Sequence, residues 1–216
     1  MKTIHSITFF ICFSFFSNAQ DLSQNPSNNN SLWQGQTIQE VAFLKVGFGY
    51  WMPKGNLSDY LDSSPLFELA LVIPDSKRKR SFELGIQLAV PQQRRFFILT
   101  DEIDEFDIEA TSIVNGYIKL NKCLYQKPNN KLALSVSLGI ASIFLDPVQN
   151  DGVAVLDYGS VNSVLVAPGL SYDFLFKDQS MLQLSLDLQY TPFKLERAIT
   201  KSINSFNLLP KVSYRF

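Results

Sequence analysis

The chain has 216 residues, of which 18% are charged and 13% aromatic, and its net charge at neutral pH is −1. That length allows one domain with a sizeable core, and the neutral balance excludes a global basic surface for nucleic acid. Mean hydropathy is +0.03, far below that of a helical membrane protein, so the apolar residues are spread thinly and not gathered into long runs.

The first twenty residues read MKTIHSITFFICFSFFSNAQ. Lys2 is a positive n-region, Ile7 to Phe16 is a short apolar core, and Ser17-Asn18-Ala19 is a small-residue cleavage site that leaves Gln20 first. The pattern predicts a secretory signal peptide over 1–19, too short to span a bilayer. Cys12 lies inside the apolar run with no small residues before it, which argues against a lipoprotein anchor. Cleavage removes His5, the single histidine, and leaves Cys123 as the single cysteine, so no internal disulfide can form. No other stretch approaches the ~18 consecutive apolar residues of a transmembrane helix. Residues 20–40, rich in Asn, Gln and Ser, predict a flexible periplasmic leader in which Trp33 is the one aromatic.

From residue 41 the apolar period becomes two. Ala42, Leu44, Val46, Phe48 and Tyr50 share one face, against Phe43, Lys45, Gly47, Gly49 and Trp51. Phe67, Leu69, Leu71 and Ile73 alternate with Leu66, Glu68, Ala70 and Val72. Phe82, Leu84, Ile86, Leu88 and Val90 oppose Glu83, Gly85, Gln87 and Ala89. A fourth segment, near 108–124, alternates more weakly: Val114, Ile118 and Leu120 against Asn115, Tyr117, Lys119 and Asn121. The pattern returns with Leu132 to Ile140 against Ala133 to Ala141, then Val164 to Phe174 against Leu165 to Asp173. It ends with Leu182 to Tyr190 against Gln183 to Gln189, and Phe206 to Phe216 against Asn207 to Arg215. These segments predict an all-β fold, an eight-stranded antiparallel up-and-down transmembrane β-barrel over 41–216. Short connections at 75–80, 126–131 and 177–180 alternate with long ones near 52–65, 91–107, 146–160 and 192–203. Short turns at one end and long loops at the other fit periplasmic turns and surface loops.

Two kinds of eight-stranded barrel have opposite polarity. A soluble ligand-binding barrel is apolar inside, and a membrane barrel is apolar outside. Here the nearly unbroken rows of Leu, Ile, Val and Phe suit lipid, while the small and polar rows suit a narrow interior. The inward face would then carry Glu68, Glu83, Asp173 and Asp187 with Lys45, Lys119, Lys211 and Arg215. Equal numbers of each sign suggest a salt-bridge ladder filling the lumen, because buried charges need partners. Asp173 and Arg215, near strand ends, are expected at the rim in bulk water.

The segments 166–174 and 208–216 share the pattern P-x-[L/V]-S-Y-x-F. Tyr172, Phe174, Tyr214 and Phe216 are expected to point outward at one depth, as an interfacial aromatic girdle. Pro168 and Pro210 each remove a ladder donor and are expected at bulges.

Val212, Tyr214 and the terminal Phe216 alternate in the manner of barrel C-termini. Over 41–216 the chain resembles the porin-like outer-membrane β-barrel family common in Bacteroidota. The resemblance implies an outer-membrane location and a C-terminal signal read by the barrel-assembly machinery. It carries no substrate.

The mature chain has no histidine, which argues against histidine-dependent hydrolysis or acyl transfer. No His/Cys cluster offers a transition-metal site, no phosphate-binding glycine motif is present, and no cofactor is expected. The stretch 101–109, DEIDEFDIE, offers hard oxygen ligands without EF-hand spacing and is expected to be a solvated acidic loop. Arg94 to Phe97, RRFF, would mark the outer interface, where arginine can meet lipid phosphate. The expectation is a non-enzymatic outer-membrane barrel with lipid around it, a structural or surface-interaction role, and contacts through loops 91–107 and 146–160. A narrow channel for small solutes or ions is the alternative.

Overall fold

The computed structural model describes residues 42–75, 79–101, 104–148, 159–176, 180–195 and 202–215. The signal peptide, the leader, Phe216 and most of the 146–160 connection lie outside the described residues. The strands are β1 (Phe43–Gly55), β2 (Ser64–Asp75), β3 (Arg80–Ala89), β4 (Phe97–Asp101), β5 (Asp104–Gln126), β6 (Asn130–Pro147), β7 (Ser160–Leu175), β8 (Met181–Lys194) and β9 (Ser202–Arg215). They pair antiparallel in the order β3-β2-β1-β9-β8-β7-β6-β5-β4, and β3 also pairs with β5, which closes the sheet on itself.

The barrel has eight staves because β3 and β4 are successive parts of one. Arg80–Ala89 pairs with the turn-proximal half of β5, and Phe97–Asp101 pairs with its far end. The expected loop 91–107 is therefore corrected: among its described residues, 97–101 and 104–107 are strand and only 91–96 is not. Six of the nine residues of the acidic stretch, Asp104–Glu109, begin β5.

Alternation is weak in β5 for a physical reason. Its ladder to β6 shifts by one residue between Ala110 and Ser112, and again between Cys123 and Tyr125. Each bulge resets which parity faces inward. Thus Ile108 and Ala110 are buried on one side of the first bulge, and Ile113, Asn115 and Tyr117 on the other.

The prolines behave differently from expectation. Pro168 pairs with Val136 on β6, while on the β8 side the ladder skips from Val166 to Gly169 without a change of register. Pro210 pairs with Leu186 on β8, and the β1 ladder skips from Lys211 to Leu208, again in register. Neither lies at a bulge. The missing N–H opens one of two ladders for a short span and leaves the other intact.

The wall has inverted polarity. Leu69, Leu84, Ile86, Ile118, Leu138, Ile140, Val164 and Leu188 are exposed on the outside, while Lys45, Glu68, Glu83, Lys119 and Asp187 are buried. Outward positions 82 to 90 of β3 and the residue after it are apolar at every second residue. Eight steps of about 3.3 Å at a tilt of about 40° give a belt roughly 20 Å tall.

The loop end carries a second, apolar core. Trp51, Leu66, Ile113, Ile143, Phe193 and Ile203 pack inside the barrel there. A one-turn 3-10 helix, Asn56–Asp59, folds over the mouth and tucks in Leu57, which is fully buried. Tyr60 stacks on Phe97 at 4.8 Å between ring centroids. The amide of Asp62 donates to the carbonyl of Gln92 at 2.9 Å, and Arg94 is paired with the Asp62 carboxylate. Connection 56–63 and segment 90–96 therefore form one structured cap.

Candidate functional site

The interior of the turn-proximal half is where the chain concentrates its chemistry. Alternation delivers one inward charge from each of six strands: Lys45 from β1, Glu68 from β2, Glu83 from β3, Lys119 from β5, Asp187 from β8 and Lys211 from β9. They form a chain of alternating sign. Glu83 meets Lys45 at 2.5 Å, and Lys45 meets Glu68 at 3.2 Å. Glu68 in turn is paired with Lys211, whose ammonium lies 2.8 Å from Asp187. Asp187 closes the series on Lys119 at 2.9 Å. Three ammoniums and three carboxylates balance without a surplus.

Neutral groups complete it. Gln87 Nε2 donates to Glu68 at 2.8 Å and Asn121 Nδ2 donates to Glu83 at 2.7 Å. Gln183 accepts from Lys45 at 3.3 Å and donates to Asp173 at 2.8 Å. Asn115 donates to Gln87 and to Gln189 at 3.2 and 3.4 Å. Each of these six buried charges thus has a partner of opposite sign, the condition for holding ions away from water.

Tyr117 fills the space above Lys211, whose ammonium is 6.0 Å from the ring centroid. Its register partners are Gly85 on β3 and Gly139 on β6. A side chain at Gly85 would strike the Tyr117 ring, and one at Gly139 would strike the Gly116 carbonyl. Gly85 therefore makes room for the ring inside a narrow barrel, and Gly139 lets the β5 backbone come close. What remains open beside Tyr117, Gln87, Ser137, Asp187 and Gln189 is a cavity of about 10 Å³, space for about one water.

The other two expected inward charges lie nearer the turn end. Asp173, expected in bulk water, is instead buried; besides Gln183 it has the Lys131 ammonium at 3.8 Å. Arg215 is half-buried with its guanidinium 4.5 Å from the centroid of the Phe43 ring. Tyr172 is exposed and packs edge-on against Phe174 at 4.8 Å. Phe174 and Tyr214 both pair with Leu182, whereas Tyr172 lines up through Leu184 with Val212. The two copies of the repeat are thus offset by two residues in hydrogen-bond register.

Sequence reasoning missed the neutral members of the network and the apolar layer above it. Gln87, Asn121 and Gln183 carried the right signal, since each shares parity with an inward charge. Leu57 carried none, since the few apolar residues of its connection follow no strand period.

No family model matches the chain, and no curated protein matches it. Among solved structures, Neisserial surface protein A aligns with 81% of this chain and 97% of its own length at 10% identity, with a TM-score of 0.50. Ail of Yersinia pestis, in complex with the heparin analogue sucrose octasulfate, aligns with 81% of this chain and 97% of its own at 11% identity and a TM-score of 0.45. A major outer membrane protein from Thermus thermophilus aligns with 81% of this chain and 99% of its own at 11% identity and a TM-score of 0.45. At such identities the likeness to the first of these is one of fold: this chain is a closed, eight-stranded antiparallel β-barrel.

Proposed function

We propose that this chain is exported by its signal peptide, spans the outer membrane, and serves there as a structural or surface-interaction barrel with a closed lumen and no enzymatic chemistry. The observation that carries the reading is the inverted wall, with an apolar belt outside and a balanced ion network inside. A soluble barrel with this exterior would aggregate, whereas in lipid the belt is the favourable surface and closure leaves no sheet edge to satisfy. The signal peptide supports export, and the C-terminal alternation ending in Phe216 supports handling by the barrel-assembly machinery. The network, the Tyr117 ring and the apolar layer at the mouth support closure. Surface contacts then fall to the loop end, through the structured cap at 56–63 and 90–96 and the connection at 146–160.

Planar-bilayer recording of the refolded mature chain, residues 20–216, tests the reading. Insertion without steady current is the expected result. Stable, ion-selective openings would replace it with a narrow channel for small solutes or ions.

A further inference from the structure

We propose that the outer wall at the turn end holds a binding site for the phosphate of an anionic phospholipid, made by Arg80 and Lys122 with Lys79 beside them and Lys127 farther along toward the turn. The proposal rests on the membrane-spanning reading above. Along the β3–β5 seam the outward register pairs are Leu88 with Val114, Ile86 with Gly116, Leu84 with Ile118 and Phe82 with Leu120. The next outward pair is Arg80 with Lys122. The apolar belt therefore ends, on this seam, on two cations at the level where lipid phosphates lie.

Two like charges directly opposite on neighbouring strands repel and destabilise the ladder. Asp75 faces Arg80 across the hairpin. An external anion would relieve that repulsion. The cations are also held in place. Lys79, at φ 52°, presents its carbonyl to the Cys123 amide at 3.0 Å, which docks the β2–β3 turn onto β5. The Lys127 ammonium lies 5.7 Å from the centroid of the exposed Tyr125 ring. Tyr125 lines up through Leu132 with Tyr172, so these lysines border the aromatic girdle. A guanidinium can grip two phosphate oxygens at once, while an ammonium adds a point charge.

The test reconstitutes the mature chain into nanodiscs of equimolar phosphatidylglycerol and phosphatidylcholine and counts the lipids it retains on release into a mass spectrometer. The wild-type chain should retain phosphatidylglycerol preferentially. R80Q/K122Q should lower that preference about fivefold for each charge removed, while K194Q, at an exposed lysine ending β8 at the loop end, should leave it unchanged. Equal retention of both lipids by the wild type, or an unchanged preference in R80Q/K122Q, overturns the site. Insertion without lipid preference sinks this proposal alone, whereas failure to insert sinks the membrane reading as well.

Discussion

Glu68 is the most heavily committed side chain in the lumen. It joins Lys45 to Lys211 and accepts from Gln87. Glu68→Gln keeps the shape and removes the charge that holds two buried ammoniums together. The expected cost is about 3–5 kcal/mol, read as a lower urea midpoint in detergent micelles, and a midpoint within error of wild type would refute the network's structural weight. Glycines give a paired test. In Gly139→Ala the new methyl meets the Gly116 carbonyl, which is backbone and cannot swing aside, whereas a methyl at Gly116 meets nothing within 4 Å. Gly139→Ala should destabilise by about 1–3 kcal/mol and Gly116→Ala should be close to neutral under the same unfolding assay. At this scale the sequence was informative about direction: parity alone assigned the six core charges to the lumen. It did not reveal Asp173 as buried, because depth along a strand depends on where neighbouring staves end, and that is set by pairings far away in the chain.

Among the elements, β5 is the longest and the least regular. Thr111 is the extra residue of its first bulge, lying between Ala110 opposite Leu145 and Ser112 opposite Phe144. Deleting Thr111 would join Ala110 to Ser112 with the inward phase intact on both sides. Deleting Ile118 instead would move either Asn115 and Tyr117 or Lys119 and Asn121 onto the apolar belt. The first deletion should still give a folded, heat-modifiable band on a gel, and the second should give none; two equal outcomes would mean that the bulge does not set the phase. The two bulges also explain why this element was hardest to read in advance. A parity change inside one strand looks like loss of alternation, and the acidic run that opens β5 resembles a loop in composition. The prolines were misread for a related reason. Loss of one donor suggested a bulge, yet each proline has two neighbouring strands and only one ladder opens.

For the whole molecule, eight staves and inverted polarity were legible because alternation recurs in every segment. The packing of 56–63 against the loop end was not, since it depends on Leu57 and Tyr60 reaching residues that are distant in the chain. The lumen is thus occupied by two different layers in series: ions toward the turns, and Trp51, Ile143 and Phe193 toward the loops. Weakening one layer should leave the other in place. Glu68→Gln is therefore expected to stay electrically silent in a planar bilayer despite its lower stability, and current through that variant would show that the apolar layer is no seal.

The ion chain also bears on how such a barrel can come into being. Its six members arrive from β1, β2, β3, β5, β8 and β9, so neither half of the sequence can neutralise its own charges. Lys45 and Glu68 can meet early, within the first hairpin, but Lys211 and Asp187 reach them only when the last strand docks beside the first. A sheet halfway into hydrocarbon would carry unpaired ammoniums and carboxylates on the face that is about to become the interior. Each would cost several kcal/mol there. For a barrel that spans the membrane as proposed, insertion and closure are therefore favoured as a single concerted event, with the open sheet kept at the wet surface until its two ends can be joined.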